Sequence, residues 1–132
     1  MADPSPRLRI GLWVAQVVLA LTFLAVSVYN LLTPYEEIAR QFVWARSMPA
    51  PLVKFIGVAE AAGAIGVVVP AATRVLPWLT PLAAAGLGFV MVLASGVHLA
   101  HSEYRSLPIT LGLLGLSFFV GWGRYKRLPI AP

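Results

Sequence analysis

The stretch Lys54-Phe-Ile-Gly-Val-Ala-Glu60-Ala-Ala-Gly-Ala-Ile-Gly-Val-Val-Val-Pro70 decides what this chain is. It is apolar and long enough to cross a bilayer, whose hydrocarbon core is about 30 Å thick, at 1.5 Å per helical residue. Yet it carries a carboxyl near its middle. An ionisable group at that depth is costly unless it is paired, neutral or turned towards a polar cavity, so Glu60 reads as a candidate functional residue.

The rest of the chain has the same character. Of 132 residues, 59% are hydrophobic and 11% charged, against roughly 25% charged in soluble domains. So few charges do not cover a soluble surface, and the length suits one domain, residues 1–132. The net charge of +5 raises nucleic acid as a partner. The cations stand at the ends of apolar runs, however, without a basic stripe or a nucleic-acid motif. They read as topology signals and headgroup contacts, so the partner is the lipid bilayer and not a nucleic acid. With no cysteine, the chain has no disulfide, no Cys-ligated zinc or iron–sulfur cluster and no thiol chemistry of its own.

Outward from the opening stretch, the pattern predicts four spans, at about 8–32, 51–69, 78–101 and 107–122. The first mimics a signal peptide, with Arg7 and Arg9 before an apolar run. That run extends about 20 residues, beyond the roughly 7–15 of a signal h-region, and reads as a retained span. Residues 1 to 7 form a polar arm. In the first span Gln16 and Asn30 need partners from other helices, whereas Thr22 and Ser27 are expected to bond back to their own helix. Residues 33 to 50 are too polar to cross. Thr33 as N-cap, Pro34 at the first helical position and Glu36 and Glu37 in the first turn predict a short amphipathic helix on the membrane surface, a lid over one end of the bundle. A surface loop with some helix is the alternative. Pro70 is expected to end the second span. Gly57, Gly63 and Gly66, with Ala59 and Ala62, give that span small-xxx-small pairs that let helices approach closely. The fold is therefore all-α: a four-helix transmembrane bundle with a short amphipathic interfacial helix between helices one and two.

Four spans put both termini on one side. That side carries Arg7, Arg9, Arg74, Arg124, Lys126 and Arg127; the other carries Arg40, Arg46 and Arg105, with Lys54 just inside the membrane. The bias places both termini in the cytoplasm, in a bacterial inner membrane. Placed by depth, the ionisable groups gather in the outer half. Glu60 is near mid-span, Lys54 nearer the outer end, Tyr29 and Asn30 at the outer end of helix one, and His98 and His101 at that of helix three. Together they are expected to line one cavity, wet at its outer mouth. Glu60 and His98 are the candidate catalytic or proton-exchanging residues. Asn30, Tyr29, Lys54 and His101 are the candidate ligand-binding residues. Lys54 also has a bland reading, snorkelling to the surface. It stands about 120° around the helix from Glu60, so the two do not pair directly. His98 and His101, at i and i+3, share a face. Two histidines complete no metal site, and none is expected. Glu103 reads as a solvated turn residue. The four tryptophans read as interfacial anchors.

The run Lys54-x-x-Gly57-x-x-Glu60-x-x-Gly63-x-x-Gly66, then Pro70, then a small-residue third helix ending in Ser95-Gly-Val-His98, resembles the DoxX-like family of small four-helix membrane proteins. The resemblance covers about Leu8 to Arg127 and maps the family's Lys, Glu and His onto Lys54, Glu60 and His98. It departs at Val28-Tyr29-Asn30, where a small residue and a Lys would be expected. It implies a subunit associated with quinol oxidase or thiosulfate:quinone oxidoreductase activity, or an accessory or assembly factor. The expected ligand is thus a hydrophobic small molecule, a quinone or another isoprenoid, with no cofactor held by the chain itself. A partner membrane subunit or a second copy of the chain is the expected protein partner. An intramembrane isomerase or hydrolase using Glu60 and His98 as acid and base is a second reading, and a non-catalytic assembly factor a third.

Overall fold

The computed structural model describes residues 5–132. Most of the polar arm expected at residues 1 to 7 lies outside the described residues, and the first helix already begins at Pro6. Six α-helices follow in order: α1 (Pro6–Leu32), α2 (Tyr35–Gln41), α3 (Val43–Arg46), α4 (Ala50–Thr73), α5 (Leu79–Ala100) and α6 (Leu107–Trp122). A 3-10 turn, Tyr104–Ser106, leads into α6, and a π turn, Gly123–Arg127, leaves it. The helices α1, α4, α5 and α6 are each long and apolar enough to cross a membrane, α6 together with its flanking turns.

The four spans close into a ring in the order α1, α4, α5, α6, and α6 returns to α1. Each buries a narrow stripe and gives the rest of its surface to lipid. On α1 the stripe is Leu12, Ala15, Gln16, Leu19, Phe23, Ser27 and Asn30, spaced three or four residues apart as one helix face requires. Ala15, Leu19 and Phe23 of this stripe meet Ala64 and Val67 of α4, Leu87 and Met91 of α5, and Val120 of α6 in one core. Large residues such as Leu21, Phe55, Phe89 and Phe118 stand exposed, as a lipid-facing surface requires. The small residues of α4 do set its packing on α5. A Cβ added to Gly63 would overlap the Leu87 side chain, so the close approach depends on glycine there.

Three local expectations change. Pro70 does not end the helix: α4 runs on to Thr73 and stops at Arg74, which adopts the left-handed conformation (φ 60°) that more often falls to glycine. A proline inside a membrane helix is tolerated when neighbours support the loosened backbone, and Gln16 of α1 donates to the Val67 carbonyl, next to the Gly66 carbonyl that Pro70 leaves without a helical donor. Thr33 does not cap α2. Its N–H closes α1 on the Tyr29 carbonyl, and Pro34 takes the cap position without a side-chain bond. The amphipathic segment is two short helices, because Phe42 between them is extended (φ −124°, ψ 123°). Ile38 and Ala45 bury against Val53 of α4, with Tyr29 and Trp44 packed around them. The Tyr35 hydroxyl ties the pair by donating to the Ala45 and Met48 carbonyls, at 3.2 and 2.8 Å.

Candidate functional site

Glu60 lies on the buried stripe of α4, between Gly57 and Ala64, and is only 4% exposed. Asn30, one helix away on α1, donates from Nδ2 to Glu60 Oε2 at 3.4 Å. Among the described residues this is the one hydrogen bond the carboxyl receives. It lies beyond the usual 2.7–3.2 Å range and is therefore weak. Asn30 was expected to face the bundle and does; its partner is the midspan carboxyl itself.

Ser27, one turn inward of Asn30 on α1, donates from Oγ to the carbonyl of Gly57, one turn outward of Glu60 on α4, at 2.7 Å. This corrects the expectation that Ser27 bonds back to its own helix: the small residue at 57 lets α1 come near enough for an interhelical bond to form instead. Lys54 is neither free to snorkel nor aimed at Glu60. Its ammonium donates to the carbonyls of Asn30 (2.6 Å) and Thr33 (2.5 Å), the last turn of α1. Pro34 has no N–H to give the Asn30 carbonyl, and Lys54 stands in for it. A cation at a helix C-terminus also complements the dipole.

The histidines do not meet the carboxyl. His98 Nδ1 lies 2.7 Å from Glu103 Oε2, with both side chains mostly buried. Glu103 is thus a partner of His98 and not a solvated turn residue; the tight turn after α5 folds it back onto the last helical face. His101 Nε2 lies 3.1 Å from Ser47 Oγ, joining α5 to the segment after α3. The Tyr29 hydroxyl donates to Gln41 at 2.9 Å, again towards that segment. The α4–α5 contacts give the depth of each group. Gly63 stands against Leu87 and Gly66 against Ala83, which puts Glu60 level with about Val90. His98 is then roughly 12 Å further out along the axis. The six candidate residues therefore form a buried Asn30–Glu60 pair, a Lys54 cap, and histidine and tyrosine contacts at the outer end.

Two clefts lie on the lipid-facing surface: about 570 Å³ between α4 and α5, and about 790 Å³ between α5 and α6. Neither is lined by Glu60, His98, Asn30 or Lys54. The first reaches Ala59, the neighbour of Glu60 in sequence. Among the described residues no three His, Asp or Glu side chains come together as a metal site would need.

A second polar centre, at the opposite end of the bundle, escaped the sequence reading. The π turn after α6 brings Gly123 against Leu12 and buries Arg124 to 6% exposure. Arg124 Nε donates to Gln16 Oε1 at 2.7 Å, Gln16 Nε2 donates to the Val67 carbonyl at 2.5 Å, and the guanidinium lies 5.2 Å from the Trp13 ring centroid. The sequence placed Arg124 in a basic cluster outside the membrane. The two signals that could have found it were an unmatched Gln16 on the buried stripe and a glycine just before the arginine.

The DoxX-like family model matches residues 14–120, from the first half of α1 to the last turn of α6. No curated protein and no solved structure matched the chain.

Proposed function

The chain belongs to the DoxX-like family of membrane proteins, and from that premise we propose that it binds a hydrophobic small molecule through the Asn30–Glu60 pair. A quinone or another isoprenoid with a polar head is the expected ligand. The observation that carries this reading is the poor satisfaction of Glu60. A carboxyl near the middle of a span, 4% exposed, receives one bond of 3.4 Å. Buried polar groups are almost always better matched than this, and an intramembrane carboxyl is expensive to keep. Its spare bonding capacity suits the carbonyl or hydroxyl of a ligand head, with Asn30 orienting both. The α4–α5 cleft, which begins at Ala59, offers apolar room for the ligand's body.

In this reading His98, held by Glu103, serves the outer mouth and does not act as a direct acid–base partner of Glu60. Electrons, if the ligand is a quinone, come from the ligand or from a partner subunit. We also propose that the chain sits in a bacterial inner membrane with both termini in the cytoplasm, an orientation that the cation bias supports.

The test is thermal unfolding of the purified chain with and without decylubiquinone. A ligand at one hundred times its Kd stabilises the folded state by about 2.7 kcal/mol. Wild type is expected to gain Tm with ligand. Glu60→Gln, which keeps shape and loses the carboxyl, and Asn30→Ala are expected to lose most of that gain. An equal gain in both variants would refute the assignment.

A further inference from the structure

The α5–α6 groove, on the terminus side of the bundle, is a different feature from the Asn30–Glu60 pair and has its own chemistry. Its walls are apolar, including Leu82, Phe89, Leu114 and Phe118. It runs from Trp78 to Val92 on α5, roughly 21 Å at 1.5 Å per residue. One leaflet of the hydrocarbon core is about 15 Å deep, so the groove spans one leaflet and its headgroup region. At the terminus end it opens beside Trp122, Tyr125 and Lys126. Part-way along, Ser117 lines it with a buried hydroxyl, 1% exposed, that has no hydrogen-bond partner.

Charge decides the occupant. Among the described residues the acids are Glu36, Glu37, Glu60 and Glu103, all in the outer half, while Asp3 lies outside the described residues. Arg74, Arg124, Lys126 and Arg127 crowd the terminus end. Lys126 is exposed, and no described carboxylate bonds to it, which leaves its ammonium available to an anionic group. A second copy inserted in the same orientation would bring the same cations to the same depth. An anionic headgroup carries the missing charge and an apolar chain together.

We propose that the α5–α6 groove binds one acidic phospholipid of the leaflet facing the termini, with its phosphate at Lys126 and an acyl chain along the groove. Cationic pockets between membrane helices hold such headgroups, and each Lys near the surface contributes appreciably. Tyr125 and Trp122 flank the headgroup at the level where aromatic side chains settle.

The test is native mass spectrometry of the full chain released from micelles with equal phosphatidylglycerol and phosphatidylcholine. Wild type is expected to retain one phosphatidylglycerol in preference to phosphatidylcholine. Lys126→Glu, at an exposed position, is expected to weaken that retention about tenfold or more and to abolish the preference. Gly121→Leu places a side chain in the groove and is expected to lose either lipid. Gly86→Leu, in the neighbouring α4–α5 cleft, is expected to keep it. If Gly121→Leu fails to fold, Lys126→Glu carries the test alone. Equal retention of the two lipids by wild type would overturn the proposal, as would undiminished phosphatidylglycerol in Lys126→Glu. So would a lipid-free dimer that Gly121→Leu dissociates.

Discussion

Removing Gln16 tests whether the buried Arg124 depends on it. In Gln16→Leu two contacts disappear: the 2.7 Å bond from Arg124 Nε and the 2.5 Å bond to the Val67 carbonyl. A hydrogen bond to a charged group contributes about 1.5–3 kcal/mol, and neutral interhelical bonds in membranes average about 0.6 kcal/mol. Leucine regains part of this by packing in the same space. The expected cost is about 2–3 kcal/mol. The Nη2 atom of Arg124 already has no partner, so the variant leaves a buried guanidinium with still fewer contacts. Arg124→Met removes that buried charge and orphans only the Gln16 amide oxygen, at a cost of about 1–2 kcal/mol. The double variant replaces both partners by apolar groups, and such replacements are often close to neutral. The two costs are therefore expected not to add, with a coupling of about 3–4 kcal/mol. The assay is reversible unfolding of all four proteins in mixed dodecylmaltoside–SDS micelles, arranged as a double-mutant cycle. Additivity within about 0.5 kcal/mol would refute the network, since independent sites add to that accuracy.

Lys54→Met takes the donor from the Asn30 and Thr33 carbonyls and is expected to cost about 2 kcal/mol in the same assay; a loss below about 0.5 kcal/mol would mean that water replaces the ammonium. Gly63→Ala is expected to cost about 1–3 kcal/mol, because its Cβ meets the Leu87 side chain, a core residue 1% exposed that must shift to make room. Gly86→Ala has nothing within 4 Å of the new atom and is expected to be neutral or slightly stabilising, so equal costs for the two would contradict the α4–α5 register. The chain has no cysteine, so Ser5→Cys and Ser102→Cys each give a unique thiol on an exposed residue. In intact cells a membrane-impermeant maleimide is expected to label Ser102→Cys but not Ser5→Cys; the reverse pattern would invert the assigned orientation.

The spans were legible in the sequence because lipid imposes a coarse requirement, long apolar runs ended by charges, that needs no knowledge of neighbours. Glu60 was legible for the same reason, as a carboxyl at a depth where it stands out, and Asn30 as an amide that needed a partner from another helix. What the sequence hid was pairing between helices. Ser27 reaches the Gly57 carbonyl, Gln16 the Val67 carbonyl and Lys54 the last turn of α1. A backbone carbonyl leaves no mark in the residue pattern, so these acceptors appear only once helix register is known. Glu103 was misread because a three-residue step from helix to 3-10 turn decides whether it points to water or to His98. Arg124 was misread because a π turn, which no composition signals, rotates it inwards.

Two prolines share one physical solution, and it bears on which polar residue is left over. Pro34 denies an N–H to the Asn30 carbonyl, and Lys54 supplies a donor there. Pro70 denies one to the Gly66 carbonyl and loosens that turn, and Gln16 donates to the adjacent Val67 carbonyl. Ser27 and His98 also have short partners, both at 2.7 Å. Each of these side chains is accounted for by holding helices and turns together, and each would be kept by a protein with no ligand at all. Glu60 is the exception. Its single bond of 3.4 Å does little for the fold, and a leucine in its place would pack the α1–α4 interface without a desolvated carboxyl. If the role of Glu60 were only structural, Glu60→Leu would lose function only by losing stability. On the reading argued here, it should hold or raise Tm without ligand while abolishing the rise that decylubiquinone produces.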